Sequence, residues 1–210
     1  MKLVYSILLH IILCSCNAQI DFKTIDGTIT SAEFENLNAV EKNGSSVLLI
    51  DDSSKDYLRV SVKSEELYVA SLCICNDKNE VFVLHASAAL GQIVYKKNHP
   101  HWETIQKFDW KMREQGMNAE TIAKRKNYLD NHGWIANTMG MGKKGETEFI
   151  IDRNKFKGEL KLAIGLMTAS DPNNIVGIPK SVGDCANHNL VSGDPKKEYD
   201  FDPGKWITIN

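Results

Sequence analysis

Charge of one sign is what this chain most lacks. Its 25 lysines and arginines stand against 27 aspartates and glutamates, a formal net charge of −2, so no global field draws it to nucleic acid or to an anionic membrane. It also lacks an apolar run long enough to span a bilayer. The longest, residues 3–13, is broken by Ser6 and His10 and is about half of what a spanning helix needs. Internal repeats are absent, which excludes solenoids and arrays. No His-Glu-x-x-His and no Gly-x-Ser-x-Gly elbow occurs, and the cysteine pairs are one residue apart, a poor zinc spacing. Ser87 and Ser181 therefore have no nucleophile setting, and Asp51 and Asp52 are adjacent, so on a strand they point apart. No catalytic constellation and no metal site is expected.

What is present begins with the first eighteen residues. Met1 and Lys2 give a positive start, residues 3–13 form a short apolar core, and a polar stretch opens at Asn17, the layout of a signal peptide. The core ends in Leu13-Cys14-Ser15-Cys16. This resembles a bacterial lipobox, in which the cysteine is acylated and becomes the mature N-terminus. Cys16 is then the lipidation site of an outer-membrane or periplasmic lipoprotein. The alternative is cleavage after Cys16-Asn17-Ala18, which releases a secreted protein starting at Gln19.

Residues 19–210 are enough for one domain with a proper core. From Val47 the pattern is mostly period two. Leu58, Val60 and Val62 alternate with polar neighbours, and residues 67–75 are apolar throughout, as a strand buried on both faces is. Further strands are expected at residues 47–50, 81–85, 92–95, 148–151, 160–167 and 206–209, with hairpin turns at 76–80 and 155–158. The fold class is mainly β, an antiparallel β-sandwich of jelly-roll or immunoglobulin-like type. Between about residues 100 and 133 the period changes. Trp102, Ile105, Phe108 and Met112 recur at helical spacing, and Asn118 is placed to cap a second helix, so a helical hairpin is expected to interrupt the strands. Residues 170–202 read as long loops.

Among the polar motifs, residues 26–34 look like the second half of a calcium-binding EF-hand. The first and third loop positions are Phe22 and Thr24, which supply no carboxylate oxygen, so a plain turn is expected. Residues 115–126 resemble the second half of a helix-turn-helix. Export removes the DNA, and Lys124, Arg125 and Lys126 read as a solvated helix face. His99 and His101 form a weak imidazole pair, and His85 lies in an apolar strand as a hydrogen-bonded histidine of the core or its rim. Cys73 and Cys75 share one face of a strand. Either one of them pairs with Cys185, or all three are buried thiols.

Three segments carry a resemblance. The domain opens with Ile25-Asp26-Gly27-Thr28-Ile29-Thr30-Ser31-Ala32-Glu33-Phe34, a middle strand reads Glu65-Glu66-Leu67-Tyr68-Val69-Ala70, and the end reads Pro203-Gly204-Lys205-Trp206-Ile207-Thr208-Ile209. In this order they resemble the superfamily that joins family 9 carbohydrate-binding modules with DOMON domains. Glu148-Phe149-Ile150-Ile151-Asp152 followed by Phe156 is similar to that family's Glu-led strand. The aromatic after Glu33 is Phe34 where tryptophan is commoner. The resemblance implies a β-sandwich that binds a sugar or a haem. A glycan or small-molecule partner would stack on Trp102, Trp110 or Trp134. A haem would take His85 with Met139 or Met141. A third expectation is an accessory subunit docking through the helical hairpin. Fold likeness alone does not fix which.

Overall fold

The computed structural model describes residues 20, 21, 25, 38–66, 68–87, 89–112, 118–138, 146–168, 171, 175–180, 185 and 199–210. They form two antiparallel sheets. The first holds β1 (Asn38–Asn43), β2 (Ser46–Asp51), β3 (Tyr57–Lys63), β9 (Glu146–Asp152) and β8 (Trp134–Thr138), in that spatial order. The second holds β11 (Ile175–Ile178), β10 (Leu160–Thr168), β4 (Tyr68–Cys75), β5 (Glu80–Ala86), β6 (Leu90–Asn98) and β7 (His101–Met112), and β12 (Ile207–Ile209) also pairs with β10. One α-helix, α1 (Ala119–His132), is present among the described residues. The mainly β, two-sheet architecture expected from the period-two pattern is the one observed.

The chain passes from the first sheet to the second twice, at matching places. β3 and β9 are neighbours in the first sheet, and each runs on into a neighbouring strand of the second, β4 and β10. Residues 155–158 therefore make a sheet-to-sheet crossing between β9 and β10, not the hairpin the composition suggested. Turn residues mark a change of direction and say nothing about which strand comes next.

Burial explains the continuous apolar strand. On β4, Tyr68, Ala70, Leu72 and Ile74 face the core between the sheets, where they meet Leu58, Val60, Phe149, Leu162 and Ile164. The alternate residues Cys73 and Cys75 face outward, into a second cluster with Val81, Val83, Ile93, Tyr95, Trp102 and Ala163. That outer face is roofed by residues from the C-terminal part of the chain. Cys185 is joined to Cys73 by a disulfide, and Phe201 touches Tyr95, Trp102, Tyr199 and Trp206 at ring-centroid distances of 5.0 to 6.2 Å. Both faces of β4 are thus covered, which is why Ser71 is its one polar residue. Residues 170–202, expected as loops, contribute β11 and part of this roof.

The expected first helix is a strand. β7 is the edge of the second sheet, and its register against β6 slips three times: between Leu90 and Gly91, between Gln92 and Val94, and between Val94 and Tyr95. Ile105 falls in one slip, unpaired between Thr104 and Gln106, and is 55% exposed. Each bulge inserts an extra residue and replaces a spacing of two by a spacing of three. Repeated insertions make an alternating strand look helical in sequence. The hairpin insertion over residues 100–133 is therefore a bulged edge strand followed by one helix.

That helix starts as predicted, with the Asn118 side chain accepting from the Thr121 amide at 2.9 Å, and ends at Gly133 in the left-handed region. Its buried face is Thr121, Arg125, Tyr128 and Leu129, while Ala119 and Ala123 are exposed. Arg125, read as solvated, is fully buried. Its Nη1 donates to the Ala136 carbonyl at 3.3 Å and its Nη2 to the Ile25 carbonyl at 3.4 Å, and Asn137 Nδ2 donates to the same Ile25 oxygen at 3.1 Å. The helix-face reading failed because three basic residues in a row cannot all point the same way.

Candidate functional site

At one end of the second sheet, the end of β4, the start of β5, the end of β6 and the start of β7 and β10 surround a pocket of about 340 Å³. Cys75, Lys97, Trp102 and Lys161 come from the strands, Asn76, Asp77 and Asn79 from the β4–β5 turn, Glu159 from the β9–β10 crossing, and Pro203 and Gly204 from a 3-10 turn before β12. The rim is held by its own hydrogen bonds. Asn76 Oδ1 accepts from the amides of Lys78 and Glu80, both at 3.0 Å, and the Asn79 carbonyl accepts from the Lys97 amide at 3.0 Å. Asn79 sits at φ 56°, a conformation that asparagine tolerates better than most residues. The Asp77 carboxylate packs on Gly158, with its Oδ2 3.0 Å from where a Cβ would stand.

The charges in the pocket are not evenly matched. Lys161 Nζ lies 3.9 Å from Glu159 Oε1, the outer limit of an ion pair, and at the mouth Lys205 holds Asp202 at 2.7 Å. The Lys205 hydrogen bond keeps the Asp202 carboxyl below its ordinary range, with a smaller contribution from Lys97. Lys97 has no carboxylate of its own among the described residues. Its Nζ sits 5.5 Å from the centre of the Trp102 ring, a cation–π position. At the floor, burial pushes the Cys75 thiol up to about 11, against the pull of Lys161 and Lys97. Cys75 is a protonated thiol at neutral pH and no nucleophile.

The residues singled out in the sequence do not converge. Trp102 lines the pocket, yet it is 2% exposed and its Nε1 donates to the Phe201 carbonyl at 3.1 Å, so it is a wall of the pocket and a member of the roof cluster at once. Trp134 is a core residue between the sheets, its Nε1 donating to Gln92 Oε1 at 2.7 Å and its ring meeting Tyr128 edge-on. Trp110 stands opposite Gly91 in the β6–β7 ladder, and its side chain lies outside the described residues. His85 is buried on the outward face of β5, opposite Ser71, with 3.2 Å between Nδ1 and Ser71 Oγ. Desolvation lowers it to about 4. A serine beside a histidine is half of a nucleophilic pair, but these two are 9% and 3% exposed. Cys16, Met139, Met141 and residues 26–34 lie outside the described residues. No group of histidine, cysteine and acidic residues suited to a metal occurs among the described residues.

Sequence reasoning missed Lys97, Lys161, Asn76 and Asn79. Each belongs to an ordinary turn or strand end. Only the pairing of β4 with both β5 and β10, and of β5 with β6, brings them to one rim. No protein-family model, no curated protein and no solved structure matches this chain.

Proposed function

We propose that the protein is an exported, non-catalytic binding module of the cell envelope, lipid-anchored through Cys16, that holds a saccharide or similar small polar ligand in this pocket. The observation that carries the reading is the composition of the lining. Side-chain amides, two ammonium groups, two carboxylates and one indole wall surround a concavity formed by strand ends and turns at the end of the sandwich. Six of the ten lining residues carry a polar or charged side chain and apolar surface lies among them, which suits a polyhydroxylated ligand with an apolar face. Asn76 and Asn79 are fixed in a hydrogen-bonded turn, which spares the ligand part of the entropic cost of ordering its site. The order of motifs resembling carbohydrate-binding modules of family 9 points to the same class of ligand.

Calorimetric titration with a panel of neutral and acidic saccharides tests this. Binding should be lost in Gly204→Phe. A Cβ at Gly204 would meet nothing closer than Asp202 Oδ1 at 3.4 Å, so the ring can occupy the mouth of the pocket without disturbing the backbone. Unchanged affinity in that variant moves the site elsewhere, and silence across the whole panel refutes the binding reading. Mass spectrometry of the mature N-terminus separates the two export routes, showing either a diacylglyceryl-modified Cys16 or an unmodified Gln19.

A further inference from the structure

We infer that the ligand of this pocket carries a carboxylate, as an acidic saccharide does, and that Lys97 and Lys161 bind it together. The inference rests on the saccharide reading above and narrows it. Ten residues line the pocket, and four of them are charged: Lys97, Lys161, Asp77 and Glu159. A count of signs gives zero, but the geometry does not.

The Asp77 carboxylate, although it lines the pocket, packs against Gly158 of the β9–β10 crossing. Asp202, the next carboxylate at the mouth, is engaged at 2.7 Å by Lys205. Glu159 reaches Lys161 only at 3.9 Å, and both side chains remain a third or more exposed, 54% and 36%, so that pair is loose and contributes little. Lys97 is half-buried, makes no ion pair among the described residues, and rests on the indole of Trp102. A lysine so placed has lost part of its hydration while interacting only weakly with Asp202, a carboxylate that Lys205 already holds, and an incoming anion completes the arrangement.

The floor agrees with this. Cys75 lines the same pocket, and the charged groups that act on its thiol are Lys161 and Lys97, with no carboxylate among them. An anionic group lowered into the pocket therefore meets two ammonium groups and a neutral thiol. Asn79 at the rim is left for the hydroxyls, since the Asn76 side chain is taken up by the Lys78 and Glu80 amides and the Glu80 carboxylate. Trp102, whose broad face is occupied by Lys97, serves as a wall beside the charge and not as an open stacking platform.

The probes are trigalacturonate and the same trisaccharide with its carboxylates methyl-esterified, titrated calorimetrically into the mature full-length protein at low and at physiological salt. The acid is expected to bind at least tenfold more tightly than the ester, as loss of a charge-assisted hydrogen bond implies, by about one order of magnitude, and to weaken as salt rises. Lys97→Met and Lys161→Met should each weaken the acid about tenfold and leave the ester unchanged, with thermal melting confirming that both variants fold. Equal binding of acid and ester overturns the charge inference and leaves the saccharide reading standing. So does binding confined to neutral saccharides. Failure of the acid, the ester and every neutral saccharide overturns both. Tighter binding of the acid that neither lysine variant alters overturns the assignment to these residues.

Discussion

Breaking the link between Cys73 and Cys185 is the most demanding test of how this fold is held. The two cysteines are 112 residues apart. Closing a loop of that length in the unfolded chain removes conformational entropy worth about 4.8 kcal/mol at 25 °C, a large share of the stability of an ordinary domain. The bond also has a local task. Cys185 is the point at which the roof is pinned to β4, a central strand of the second sheet, beside Tyr199, Phe201 and Trp206. Urea unfolding of the oxidised protein, of the protein reduced with a phosphine, and of the Cys73→Ala/Cys185→Ala variant measures the effect. Reduction and the double variant should each cost about 3–5 kcal/mol and lower the melting temperature by roughly 10–15 °C for a chain of this size. They should also raise the denaturant slope, because the unlinked chain exposes more surface when unfolded. Cys75 provides the control. With its thiol pushed up to about 11, only about one molecule in ten thousand carries the thiolate at pH 7. Cys75→Ala should therefore leave the disulfide and the melting behaviour of the roof nearly unchanged. A loss below 1 kcal/mol on reduction, with the bond shown intact beforehand by peptide mapping, would refute the loop-entropy reasoning.

Three further outcomes follow from buried groups and backbone. His85 is held neutral, at about 4 against an ordinary 6.5; the unfolded chain takes up a proton that the folded one refuses, so stability present above pH 6.5 declines as the pH falls toward 4. Between pH 7 and 4.5 the loss from this residue is about 2 kcal/mol, and His85→Gln should flatten that part of a pH series of urea unfolding curves; a variant with an unchanged slope contradicts it. Arg125→Met should cost about 3 kcal/mol, because Glu148, 1% exposed, loses the attraction of this buried guanidinium. Adding Glu148→Met should recover most of that loss in a double-mutant cycle, and additive losses would show that the two charges do not interact. Gly158→Ala should destabilise by about 1–2 kcal/mol, since φ is +82° and the new Cβ would stand 3.0 Å from Asp77 Oδ2; a neutral effect in thermal melting would refute the strain argument.

Local sequence determined the elements whose cause is local. Strands β2, β3, β4, β5, β9 and β10 were legible because each keeps one register along its length, so period two survives in the order of residues. The cap at Asn118 was legible for the same reason: its partner, the Thr121 amide, is three residues away. The doubly apolar β4 even announced that this strand is covered on both faces. What the sequence could not announce was anything set by contact across the fold. The bulges that disguise β7 as a helix exist only against β6. Arg125 is buried because Ala136 and Ile25 offer carbonyls to it, and nothing in Lys124-Arg125-Lys126 singles it out. Of the three cysteines, Cys73 was chosen over Cys75 by where residue 185 comes to rest on the sheet. The pocket is the extreme case, since Asn76, Lys97, Lys161 and Gly204 lie far apart in the chain and become one rim only when β4 pairs with β5 and β10, β5 with β6, and β10 with β12. Periodicity records which way a side chain points from its own strand; which strand lies beside it is an energy of packing, and that is decided by the whole chain.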